Sequence, residues 1–405
     1  MKTKLIDIEA LTNALPAFVE QFVVNDSTPI TPKPSEPVIQ DPVVIGKLVG
    51  NGYGSLSILK GTGTIKIAPG TYNSITINNP KDCLVDATGV KLIGELSIGS
   101  ADGISLSGLS VADYSGIPVN FNGLCRKVEF RDISFKNIGN YCMRNNYTGA
   151  WDFTDKTVLN DWSITDCVFE NTGKAFISRS VFKSGVVTNL LRNFVFSGNT
   201  IKNCPWIGSA VEVQAVDGYS LKDNVIDNVN TENNEHNGIF LMTGHGEISG
   251  NRLTNHQGNL IRAWGVSFGP SAKMISIHNN TVYNSRKYGA FEWQVTPDLD
   301  AFIKANKGKF NYTNAEVYKN TAGKLATSKD WEGQMLDLYN TGGTLSYHGN
   351  VGFEMNTGKK MADMINNMSS VNIVANNNNR YYATQKQAVT DTVSFKSLVA
   401  GIGAQ

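Results

Sequence analysis

Apolar residues in the middle of this chain recur in a fixed eight-residue phrase: apolar, two residues, Asn, one residue, apolar, one residue, Asn. The copies are Phe196/Asn199/Ile201/Asn203, Leu221/Asn224/Ile226/Asn228, Ile248/Asn251/Leu253/Asn255 and Ile277/Asn280/Val282/Asn284, with first asparagines 25, 27 and 29 residues apart. Short alternating apolar and polar runs predict β-strands. A period in the twenties predicts a solenoid in which each repeat cannot bury its apolar face alone and stacks on the next. The pattern therefore predicts an all-β fold, a parallel β-helix over residues 44–379 with about ten rungs.

The slot of Asn199 can be followed as Leu109, Ile133, Cys167, Asn199, Asn224, Asn251, Asn280, Asn320, Asn350 and Asn376. Two positions later come Val111, Phe135, Phe169, Ile201, Ile226, Leu253 and Val282, an inward apolar stack. Four positions later come Asn137, Asn171, Asn203, Asn228, Asn255 and Asn284, a candidate amide ladder. Longer gaps predict protruding loops at 145–161, 229–237 and 297–313, the last with a short helix.

The ends differ from the body. Ile8, Leu11, Leu15, Phe18, Val19 and Phe22 predict a short amphipathic helix that Pro16 kinks, and Pro29, Pro32, Pro34, Pro37 and Pro42 predict an extended linker. Residues 1–43 thus read as an attachment tether or, alternatively, as a frayed terminus. Residues 380–405 lose the rung pattern and carry Val393, Phe395 and Leu398, which read as a cap or oligomer contact over the last strand edge.

Composition narrows the function classes. A net charge of +1 with 18% charged residues offers no basic field for nucleic acid. There are 44 Asn against 39 Gly, an excess that suits turns and stacked amides. Five cysteines without C-x-x-C spacing read as small buried or semi-buried thiols, neither a disulfide framework nor a zinc site. Acidic residues interrupt the apolar stretch after Met1, so no secretory leader is expected. No run of 18 apolar residues predicts a membrane span.

Each repeat carries another strand after its Asn turn: residues 210–214, 238–242, 258–264, 290–294, 335–339 and 362–365. If Val211, Val213, Ile239, Leu241, Ile261, Phe291, Leu336 and Leu338 point inward, then Glu212, Phe240, Met242, Arg262, Trp264, Glu292, Gln294, Asp337 and Tyr339 point outward. Aromatic faces stack on sugar rings, while Arg and Gln bind hydroxyls and carboxylates. Glu212, Phe240, Arg262, Trp264, Gln294 and Tyr339 are therefore candidate glycan-binding residues. Glu292 and Asp337, on neighbouring rungs, are candidate catalytic acids whose carboxyls could approach about 5 Å, the retaining-glycosidase separation. His236, His245 and His256 match no zinc template, and no phosphate-binding glycine motif is present, so neither metal nor cofactor is expected.

This rung signature over about residues 55–378, with the entry segment Gly61 to Tyr72, resembles the right-handed parallel β-helix, pectin-lyase-like superfamily. Combined with an N-terminal helix, a Pro-rich tether and a distal cap, it looks most like bacteriophage tailspike and tail-fibre proteins. That resemblance implies a homotrimeric virion protein for host attachment, assembled in the host cytoplasm, binding host surface polysaccharide and docking to other virion proteins through residues 1–43. An extracellular or cell-surface protein is the alternative location. A polysaccharide depolymerase, hydrolase or lyase, and a purely structural fibre segment are the alternative functions. Gly244-His245-Gly246 matches one member of the polygalacturonase catalytic set, but Val213-Gln214-Ala215 stands where paired Asp residues belong, so that mechanism does not transfer.

Overall fold

Short strands pair parallel from one repeat to the next, as the pattern requires. The computed structural model describes residues 43–45, 54–59, 61–325, 332–355, 364–390 and 403–404. The predicted N-terminal helix and most of the Pro-rich linker lie outside these residues, as do Val393, Phe395 and Leu398. Among the described residues the chain is mostly β, with long parallel ladders consistent with a parallel β-helix. Two named pairings are antiparallel: Phe182–Lys183 with Val186–Val187, and Asn259–Phe268 with Phe310–Tyr312.

One ladder follows the repeated phrase. It runs through Ser110–Tyr114, Ser134–Ile138, Val168–Thr172, Thr200–Cys204, Val225–Val229, Arg252–His256 and Thr281–Ser285. It continues through Thr321–Gly323 and Val351–Phe353 to Arg380–Tyr382, just past the expected end of the repeats at 379. The predicted apolar stack from Val111 to Val282 is in register and buried. Within it the rings of Phe135 and Phe169 lie 5.1 Å apart and nearly parallel.

The first-slot asparagines form a continuous buried ladder. From Asn199 through Asn224, Asn251, Asn280, Asn320 and Asn350, each side-chain amide donates to the Oδ1 of the next at 2.8–3.1 Å. The same Oδ1 accepts the backbone N–H of the preceding asparagine at 3.0–3.1 Å. Each amide also donates to a main-chain carbonyl of the earlier rung, as Asn251 does to Leu221 at 2.8 Å. The ladder ends on Asn379, not on the predicted Asn376. The second asparagine column, Asn137 to Asn284, is partly or wholly exposed and has φ between 49° and 60°. Asn serves there because its short polar side chain tolerates the left-handed region. Its side chains also bond in part, as from Asn284 to Asn255 at 2.6 Å.

All five cysteines are buried and unpaired. The predicted helix in the 297–313 loop is present as Pro297–Ala305, with Thr296 capping Leu299 N–H and Pro297 in the first turn. Its Leu299, Phe302 and Ile303 join Val266, Phe268, Val295 and Phe310 in a second apolar core outside the main one.

Replacing a buried ladder asparagine should be costly. Asn251→Ala orphans the Asn224 N–H and side-chain amide and one carbonyl, at roughly 1–3 kcal/mol per group. Urea unfolding should register a loss of about 3 kcal/mol or more. Asn228→Gly, at φ 53° in the outer column, should stay close to the parent.

Candidate functional site

Strand register decides which side chains leave the core. The pairings align Arg144, Ile177, Glu212, Leu241, Arg262, Glu292, Asp337 and Asn366 in one outward column. Two residues further along each strand, Thr243, Trp264, Gln294, Tyr339 and Met368 form a second.

Phe240 is therefore not a surface residue. It lies opposite Val211 and Ile261 inside the main core, and Met242 is inward with it, while Leu241 takes the outward place. Residues 239–242 are four consecutive apolar side chains, so alternation has no phase there and pairing with neighbouring strands sets it. The last predicted strand, 362–365, is observed as Ile365–Met368, which brings Asn366 beside Asp337.

Glu212 faces outward but is buried by its partners. Lys174 reaches its Oε2 at 2.6 Å, Arg179 lies 3.4 Å from Oε1, and Gln214 donates to Oε1 at 2.8 Å. Trp264 is half-buried because one side packs on the second core. Gln294 and Tyr339 are partly exposed in the same column.

Glu292 and Asp337 are direct neighbours across two strands. Both are almost completely buried, at 2% and 0% exposure. Arg262 Nε donates to Glu292 Oε2 at 2.5 Å, and His236 Nε2 stands 3.8 Å from Glu292 and also 3.8 Å from Glu332. His236 is held flat against Tyr288 at a ring separation of 3.7 Å. Asp337 Oδ1 accepts from Gln334 and, at 3.0 Å, from Asn366. The sequence had pointed to Glu292, Asp337 and Arg262, but not to Glu332, Gln334 or Asn366. Those three come from loop positions or from the shifted strand, where no periodic signal exists.

Burial, reinforced by Glu292 and Glu332, pushes the Asp337 carboxyl up to about 8. Burial also raises Glu292, against the opposing pull of Arg262. Burial and then Arg262 push His236 down to about 4. The guanidinium sits on Glu292, so the negative charge of the pair belongs there and the proton on Asp337. A proton donor beside a carboxylate is the pairing that acid–base chemistry uses. As folded, however, it is a closed cluster and not a cleft.

Openings lie along the same face. A concavity of about 200 Å³ is lined by Trp264, Gln214, Thr243 and Phe182. Another, about 580 Å³, lies by Asp300, Tyr312, Asn340 and Met368, and a third, about 290 Å³, lies around Arg144 and Arg179. Gly244-His245-Gly246 is explained by packing where its strand bends between ladders. A Cβ on Gly244 would meet the Val216 carbonyl oxygen at 1.9 Å, and one on Gly246 that of Tyr219 at 2.2 Å. Among the described residues, no group of three or more His, Cys, Asp or Glu is arranged to hold a metal ion.

The raised acid makes a signed prediction. Asp337 is ordinarily near 3.8, so its protonation stabilises the fold fully below that pH, and this is lost as pH rises through about 8. His236 acts oppositely: its contribution is present above 6.5 and is lost as pH falls toward 4. The stability difference between Asp337→Asn and the parent should thus change by about 1.4 kcal/mol per pH unit between pH 5 and 7, in favour of the variant as pH rises. Urea unfolding at stepped pH measures it, and a flat difference would refute the buried-proton assignment.

No protein-family model matches the chain, and neither a curated protein nor a solved structure matches it.

Proposed function

We propose that the chain recognises an extended glycan along the outward face of its parallel ladder. The observation that carries this reading is the set of three concavities on one face, spread between the levels of Arg144 and Met368. Seven ladder steps separate Arg144 from Asn366, roughly 34 Å at the usual strand spacing and enough for several sugar units. Trp264 supplies an aromatic wall whose far side is locked by the second core, so stacking a sugar there costs little side-chain entropy. Gln214 and Thr243 supply polar groups beside it. Phe240 has no part in this surface, and Glu212 is committed to its own ion pairs.

The finer architecture in this proposal is a right-handed, pectin-lyase-like β-helix of about ten rungs. Attachment to a virion as a homotrimeric spike or fibre, with residues 1–43 as the docking tether and host surface polysaccharide as the ligand, is supported by the resemblance of the repeat pattern. Arrayed host-surface glycans should bind the parent chain, and Trp264→Ala should weaken binding about tenfold, or 1.4 kcal/mol. Binding is compared at a temperature where a melting curve shows the variant, destabilised by loss of its packing on the second core, still fully folded. Gln214→Ala provides a second lesion at the same opening, one that also removes the bonds of Gln214 to Glu212 and to the Ser180 N–H. No binding by the parent would favour a purely structural fibre segment and overturn the proposal.

A second reading, a depolymerase of the hydrolase or lyase kind, is favoured by the protonated Asp337 beside Glu292. It expects new reducing ends from a bound polysaccharide, abolished by Glu292→Gln and by Asp337→Asn. Cleavage that survives both substitutions would remove these acids from the chemistry.

A further inference from the structure

We infer that the concavity at Arg144 and Arg179 is a subsite for an anionic sugar, specifically a carboxylate-bearing unit of the chain. The inference rests on the glycan reading of this face and adds the charge class of the ligand. The opening measures about 290 Å³ and is lined by Tyr141, Arg144, Asn146, Tyr147, Arg179 and Asn189, with no acidic side chain among its walls.

Arg144 is aimed but not neutralised. Its Nε and one Nη donate to Asn120 Oδ1 at 3.2 and 3.1 Å. Asn120 is nearly buried and its own amide donates to the Ile117 carbonyl at 2.9 Å, so the oxygen must face the arginine. Asn146 donates to the same oxygen at 3.2 Å. The acceptor holding Arg144 is thus a neutral amide, and no carboxylate within ion-pair distance answers it among the described residues. The second Nη has no protein partner there.

The neighbouring charges do not correct this surplus. Arg179 leans on Glu212 at 3.4 Å, but Lys174 already holds that carboxylate at 2.6 Å. Lys174 and Arg179 therefore share one carboxylate, none is left for Arg144, and the guanidinium of Arg179 remains largely exposed at the rim. A half-buried arginine facing an opening without a counter-ion attracts an anion more strongly than the same charge in open water. A planar fork matches a carboxylate by two parallel N–H bonds, and the two tyrosines offer ring surface to the sugar that carries it. Loss of one such charge-assisted contact is expected to cost about tenfold in affinity.

The test is an array of hexuronate- and sialate-containing oligosaccharides, each printed beside its carboxyl-reduced neutral counterpart, with sulfated neutral oligosaccharides as a third arm. Binding of the full chain should favour the carboxylated member of a bound pair by at least about tenfold, and more so at low salt. Arg144→Met should erase that preference by lowering the carboxylated member's affinity far more than its neutral counterpart's, and Arg144→Lys should restore part of it. Trp264→Ala should lower both members of the pair together. If Arg144→Met fails to fold, Arg179→Met, at an exposed position, must reduce the same preference. Equal affinity within every pair, or preference for the sulfated arm, overturns the carboxylate assignment but leaves glycan recognition standing. Absence of binding by any oligosaccharide overturns both.

Discussion

A buried side-chain amide must bond at both ends, and in this protein it does so only if the next repeat lies in register. Each ladder asparagine fixes the turn of the preceding rung through two bonds to one oxygen and reaches back to a carbonyl on the rung before. A slip of one residue would orphan several polar groups at once inside the core, at a cost of several kcal/mol. Hydrophobic stacking tolerates sliding; this column does not. Register in turn determines which residue of every following strand points outward, so the chemistry of the surface depends on a row of amides on the inside.

The repeat was legible because the amide column and the apolar stack beside it leave the same spacing in the sequence, one polar slot and one apolar slot two residues on. Legibility ended wherever that contrast vanished. Asn376 to Asn379 are four asparagines in a row, so period alone could not identify Asn379 as the one that enters the ladder. Ile239 to Met242 are four apolar residues in a row, so Phe240 and Leu241 exchanged faces. In both places the missing information lies in the neighbouring strand.

The outward face was legible as a list of residue types but not as an environment. Glu212, Arg262, Glu292 and Asp337 do share one column, as alternation required. Alternation says nothing about the loops that fold over that column. His236 and Glu332 arrive from such loops and convert a row of surface acids into a closed cluster in which one carboxyl keeps its proton. The second core does the same for Trp264, which packs against a cluster that includes Phe302 and Phe310 from an inserted helix and strand.

Charge along this column is resolved in three different ways, and the differences separate structure from recognition. Glu212 is held by Lys174 and Arg179, an arrangement satisfied within the protein. Arg262 and Glu292 pair in the interior while Asp337 avoids ionising, which satisfies the cluster by shedding charge. Arg144 has neither remedy: guanidinium groups do not deprotonate, and the amide that orients it brings no negative charge. Here the fold positions a permanent cation facing an opening, and among the described residues no carboxylate supplies its counter-charge. On the proposed glycan reading, the well-paired acids, which look most like chemistry in the sequence, maintain the wall, and Arg144 is the group on this face left to answer a ligand's charge.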